Sequence, residues 1–211
     1  MKQNLVIADY GCGNIQSLIN AFDAVGAHAE LVDNPDALDR ADKVVLPGVG
    51  AFSQAMEKLN NRGFSEALDV VRKRGKIILG ICLGMQLMCR GSDEDGDHTG
   101  LGWLEADVQH FASHPEWLSV EPRLKVPHMG WNEIHFDASQ SLFNGIKDGA
   151  DVYFVHSHAV RCDKEENILC RTDYGVEFVS GIHHENIFGM QFHPEKSHRV
   201  GLKILENFVG M

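Results

Sequence analysis

Cys82 stands between two glycines in the stretch Gly80-Ile81-Cys82-Leu83-Gly84, the thiol counterpart of the G-x-S-x-G nucleophile turn. Glycines on both sides allow a turn too tight for β-carbons, which leaves the middle residue strained and presented at a strand end. A helix beginning at Leu83 would aim its first amides at the sulfur, favouring a thiolate and a developing oxyanion. The pattern by itself favours a nucleophile, and a small thiol packed beneath glycines is the alternative. A thiol nucleophile needs a base, and among 12 histidines His193 is the most informative, because the apolar run 187–192 delivers it to a strand end and Pro194 fixes the chain after it. Glu195, two residues on, can return to the imidazole, so that thiol, imidazole and carboxylate would form a proton relay of the triad type. Taken alone, His193-Pro194-Glu195 could also be an exposed turn.

Other chemistries fit less well. His183-His184 and His156-x-His158 would point to opposite or unconnected ligand positions on strands, and no cysteine or carboxylate completes a set, so neither a metal nor a cofactor is expected. The five cysteines at positions 12, 82, 89, 162 and 170 are odd in number and contain no C-x-x-C pair, which argues against a disulfide framework. Cys89 reads as a packing residue on the helix after Cys82, and the glycine-rich turn around Cys12 is too short for a dinucleotide fingerprint. A net charge of −11 disfavours nucleic acid as a partner, and the basic run 72–74 reads as a solvated helix end. No apolar run is long enough to span a bilayer and the start lacks a secretion signal, so a cytoplasmic protein without a membrane partner is expected.

The elements that must hold these residues alternate. Apolar runs at 5–8, 43–47 and 76–79 are separated by helical patterns at 14–25, 51–59 and 64–74, with a further helix expected over 83–90. Such alternation implies βαβ units, an α/β fold with a mainly parallel central sheet and helices on both faces. At 211 residues, one domain spanning 1–211 is expected. The second half reads as strands at 131–136, 151–160, 177–184 and 187–192, closed by a helix over 200–208. The acidic stretch 91–98 reads as a surface loop, and 110–125 fits no motif.

GICLGMQ (80–86), QFHPEKS (191–197) and VLPGVG (45–50) together resemble the class I, triad-type glutamine amidotransferases, whose fold is an open sheet with a nucleophile elbow. DYGCGN (9–14), PGVGAF (47–52), VPHMGWN (126–132) and YFVHSH (153–158) resemble one branch, the glutaminase subunits of imidazole glycerol phosphate synthase, over essentially the whole chain. The resemblance implies hydrolysis of L-glutamine by Cys82, with His193 moving protons and Glu195 orienting it. It implies an oxyanion hole from the Val49 and Leu83 amides, beside Gly50, formed on the Val49 side after the PGVG peptide turns over. Gln86 and Glu94 match glutamine-holding positions, and the segment with Ser157 and His158 matches one that contacts glutamine through its backbone. The family often has an aromatic residue where this chain has His158. Ammonia would pass to a separate cyclase subunit, a (β/α)8 barrel, in a heterodimer whose interface or gate would include Asn14, Met129, Trp131, Tyr153 and Lys196. The same chemistry could serve a cyclase-like partner that aminates a surface sugar, and a cysteine hydrolase or redox protein of the same fold is the other alternative.

Overall fold

The computed structural model describes residues 4–113, 115–121 and 123–211. The parts of the stretch 110–125 at positions 114 and 122 lie outside the described residues. The chain runs β1 (Leu5–Ala8), α1 (Ile15–Ala24), β2 (Ala29–Val32), β3 (Lys43–Leu46), α2 (Phe52–Asn61), α3 (Phe64–Lys73), β4 (Ile77–Ile81) and α4 (Leu83–Leu87). It continues through β5 (Gly91–Ser92), β6 (His98–Thr99), β7 (Ala106–His110), α5 (Pro115–Leu118), β8 (His128–Ile134), β9 (Ala150–His156) and β10 (His158–Cys162). The last elements are β11 (Ile168–Asp173), β12 (Glu177–His184), β13 (Ile187–Met190) and α6 (His198–Gly210).

Strands β2, β1, β3, β4 and β13 lie side by side, all parallel, and β12, β10 and β7 extend the same sheet with antiparallel pairings. The continuous apolar runs of β1 and β3 are explained by burial on both faces. In β1, Val6 and Ala8 pack toward α2 and α3 with Phe52, Leu59, Phe64 and Leu68, whereas Leu5 and Ile7 pack toward α1 and α6 with Leu18, Phe22 and Phe208. Lys43, at the start of β3, is charged yet buried because its ammonium donates to the Phe208 carbonyl at 2.9 Å, closing the C-terminus of α6 where a cation is favoured. Among the described residues no helix is long and apolar enough to cross a membrane.

Three expectations are corrected. The helix after Cys82 ends at Leu87, because the carbonyls of Leu87, Met88 and Cys89 accept from the amides of residues 101–104 and are lost to the helix ladder. The stretch 91–98 is a β5–β6 hairpin at the sheet edge with Ser92 buried, since Asp95 and Gly96 adopt positive φ and close a tight turn. The run 151–160 is two strands broken at Ser157: β9 pairs with β8 in a separate two-stranded sheet, and β10 crosses into the main one.

Candidate active site

Cys82 follows directly on β4 and adopts φ 54 and ψ −113, a conformation an L-residue enters at a cost of roughly 1–3 kcal/mol. Its neighbours show why the turn demands glycine. A β-carbon on Gly84 would run into the Leu46 carbonyl oxygen, and one on Gly80 would stand 2.8 Å from the Gly84 carbonyl. Gly48 is held to glycine in the same way, its missing β-carbon falling 2.7 Å from the Gly84 amide nitrogen. The strand end 46–48 thus presses onto the elbow from β3, and Gly50 follows with φ +103 and open space around it.

The parallel pairing of β13 with β4 sets Met190 opposite Ile81, so the chain leaving β13 carries His193 to the same sheet edge as Cys82. His193 is locked by its main chain: its amide donates to the Tyr153 carbonyl at 2.9 Å, and its carbonyl accepts from the Ser197 hydroxyl at 2.6 Å. The Ser197 oxygen in turn accepts from the Tyr153 amide at 3.0 Å, which closes a clamp between β9 and the start of α6. His193 Nδ1 lies 2.8 Å from Glu195 Oε1, with both side chains out of solvent. Nε2 is buried and hydrogen-bonds to no group among the described residues. Burial works against a charged imidazole here, but interaction with the Cys82 sulfur and the hydrogen bond to Glu195 outweigh it and push the His193 pKa up to about 9. At neutral pH the ring therefore holds its proton.

A cavity of about 300 Å³ opens onto these groups, lined by Cys82, His193, Val49, Gly50, Leu83 and Gln86, with Glu94, Ser157, His158 and Lys196 around them. Sulfur, imidazolium and two turns of strand-end backbone facing one small cavity can attack an acyl carbon and protonate its leaving group. Glu94 reaches the cavity from the β5–β6 hairpin. One carboxylate oxygen accepts from the Phe52 amide at the start of α2 at 2.6 Å, and the other lies 3.9 Å from His158 Nδ1. Among the described residues no group of three or more His, Cys, Asp or Glu is placed to hold a metal.

A second cluster stands beside the cavity. Trp131 and Tyr153 are cross-strand partners on β8 and β9, their rings 6.0 Å apart at 69°, and the Lys196 ammonium lies 5.7 Å from the Tyr153 ring. Trp131 and Met129 are 44% and 61% exposed, more than a packing role for such large side chains requires. Asn14 is exposed at the N-terminus of α1, whose Ser17 and Asn20 share a surface hollow with Lys196 and His198. Cys89 is fully buried, as packing requires, and burial drives its pKa well up.

Sequence reasoning missed four residues that support this site. Gln191 donates to Cys82 Sγ, Ser197 clamps His193, His198 stacks on Trp131 at 4.7 Å, and His128 pairs at 3.0 Å with His156, which lines the cavity. Gln191 and Ser197 flank the His-Pro-Glu motif and could have been suspected from that adjacency. The pairing of His128 with His156 depends on the β8–β9 register and has no local signal.

Residues 6–211 match the family model of class-I glutamine amidotransferases. The chain is 47% identical over 204 residues to the imidazole glycerol phosphate synthase subunit HisH of Sulfurimonas denitrificans, covering 97% of this chain and 96% of that one. It is 44% identical over 208 residues to the HisH subunit of Archaeoglobus fulgidus, covering 98% of each. In fold it is similar to PurLQS from Thermotoga maritima, with a TM-score of 0.75 at 18% identity covering 100% and 99% of the two chains. A glutamine amidotransferase from Thermotoga maritima gives a TM-score of 0.63 at 16% identity, covering 99% of this chain and 83% of that one. Whole-length identity of this size to several HisH subunits, joined to the elbow and the imidazole–carboxylate pair, makes the chain a member of the class-I glutamine amidotransferase family, in its group of imidazole glycerol phosphate synthase HisH subunits.

Proposed function

We propose that the cavity hydrolyses L-glutamine to glutamate and ammonia, with Cys82 as nucleophile, His193 as proton carrier and Glu195 as the group that orients it. The sulfur attacks the side-chain amide carbon, and the carbonyl electrons move onto oxygen. The amides of Leu83 and Val49 receive that oxyanion, with Gly50 giving the Val49 peptide freedom to turn. His193 passes its proton to the amide nitrogen, the carbon–nitrogen bond breaks, and ammonia leaves a glutamyl thioester on Cys82. Water then attacks the thioester as His193 takes a proton from it, and glutamate departs with the sulfur restored. Gln86, Glu94 and the backbone at Ser157 and His158 hold the glutamine, Glu94 by pairing with its ammonium group.

The ammonia goes to a partner, a cyclase subunit built as a (β/α)8 barrel, in the step of histidine biosynthesis that yields imidazole glycerol phosphate and an aminoimidazole ribotide. Ammonia set free in water at neutral pH is mostly protonated and unreactive, so it must be handed over directly. Asn14, Met129, Trp131, Tyr153 and Lys196 are the residues assigned to that interface and its gate. The observation that carries the reading is the buried 2.8 Å pair of His193 and Glu195 in the cavity that Cys82 lines. The test is release of ammonia and glutamate from glutamine by the chain alone and with a histidine-pathway cyclase subunit and its nucleotide substrate, with Cys82→Ala as the blank. Strong activation that disappears in the blank is expected. Equal high rates with and without the cyclase would refute the dependence on a partner.

A further inference from the structure

A series of hydrogen bonds joins the β8–β9 hairpin to the Cys82 sulfur, and its direction is fixed by groups that can act in one sense only. The main-chain oxygen of His158 can only accept. Toward the thiol, Gln86 must therefore turn its Nε2 to that oxygen, at 3.4 Å. The same Nε2 lies 2.9 Å from the Gln191 amide, which must offer Oε1, and this leaves Gln191 Nε2 as the donor to Cys82 Sγ at 3.6 Å.

Away from the thiol, His156 Nδ1 donates to the same His158 oxygen at 2.8 Å. Its Nε2 is then bare and accepts from His128 Nδ1 at 3.0 Å, and His128 Nε2 accepts from the Asn132 amide at 3.4 Å. Asn132 is pinned in turn, because Oδ1 accepts from the Glu133 amide and Nδ2 donates to the Asp173 carbonyl, each at 2.8 Å. This arrangement requires both rings to be neutral, and burial does pull the His128 pKa down to about 4 and that of His156 to about 3. The rings are walled off by Phe111, Phe154, Tyr174 and Phe178. Gln191 is fully buried.

We infer that Gln191 is a positioning residue for the reacting sulfur, its orientation set through Gln86 by the His158 main-chain oxygen, which the His156–His128–Asn132 series holds in place from the hairpin bearing the exposed Met129 and Trp131. The inference rests on the reading of Cys82 as nucleophile. A donor 3.6 Å from the sulfur holds one rotamer and stabilises the thiolate over the thiol, and a change at the hairpin reaches it through amides and imidazoles that cannot rotate singly without losing a partner.

The test is the rate of Cys82 alkylation by iodoacetamide over a range of about pH 6–10, which brackets ordinary and shifted thiol pKa values. It is followed at Cys82 itself by peptide mass spectrometry on the full chain, beside kcat and KM for glutamine. Gln191→Met keeps bulk and donates nothing. It should slow alkylation at neutral pH by about tenfold, with the rise in rate displaced to higher pH and kcat falling more than KM changes. His128→Phe keeps the stacking on Tyr174 and Phe154 but cuts the chain, and should slow alkylation by roughly threefold in the same direction. An unchanged rate and pH profile in Gln191→Met with the parent's melting curve would overturn the positioning role, and the same result in His128→Phe would overturn the chain. Undiminished glutamine hydrolysis by Cys82→Ala is a separate result, which would overturn the nucleophile reading itself.

Discussion

Glu195 Oε1 stands 2.8 Å from His193 Nδ1, two residues away along the chain, and both side chains are shut off from solvent. Pro194 and a short 3₁₀ turn over Pro194–Lys196 bend the backbone so that the carboxylate returns to the ring. Glu195→Gln keeps the shape and removes the charge that holds the imidazolium. The expected result is a fall in kcat of roughly a hundredfold or more with little change in KM. Steady-state kinetics in complex with the cyclase measure it, and an unaltered kcat would exclude an orienting role.

The raised His193 pKa also makes stability depend on pH. The folded value of about 9 exceeds the ordinary 6.5, so the stabilisation is complete below about 6.5 and is lost as pH rises through about 9. Its full size is about 3 kcal/mol from that separation. Denaturant melts of the parent and His193→Gln should differ most at about pH 6 and converge toward about pH 10. A gap that stays constant with pH would contradict the assignment.

Backbone strain at Cys82 gives a prediction with opposite signs for activity and stability. Glycine enters φ 54, ψ −113 without a β-carbon penalty. Cys82→Gly and Cys82→Ala should both be inactive, yet the glycine variant should be more stable than the alanine variant by about 1 kcal/mol. Paired thermal melts settle the order.

Glu94 should act on binding. Glu94→Gln can still accept from the Phe52 amide, so the start of α2 survives, but the charge facing the cavity is gone. We expect KM for glutamine to rise by about tenfold to a hundredfold while kcat holds within about threefold. A loss confined to kcat would move Glu94 from substrate binding to catalysis.

Met129 and Trp131 offer the exposed apolar area beside the cavity that a docking partner would cover. Trp131→Ala should weaken association with the cyclase subunit by about 2 kcal/mol or more, read by calorimetric titration, and leave the melting temperature of the free chain nearly unchanged. A large drop in that melting temperature would make Trp131 a core residue.

What the residues by themselves determined was local. The glycines flanking Cys82, the proline after His193 and the carboxylate two positions on constrain backbone within a few residues, and such constraints do not wait for the fold. Alternating apolar runs and helical patterns likewise determined the parallel block, because strands buried on both faces leave a continuous apolar signature. Tertiary structure decided whatever joins distant segments. The helix after Cys82 stops at Leu87 because residues 101–104 take its carbonyls, and the acidic stretch around Glu94 becomes a hairpin because the sheet edge can receive it. Gln191 reaches Cys82 through the register of β13 on β4, and His128 reaches His156 through that of β8 on β9. A strand's side-chain pattern tells which face each residue occupies, whereas the partner across the sheet is set by register, and register is a property of the assembled core.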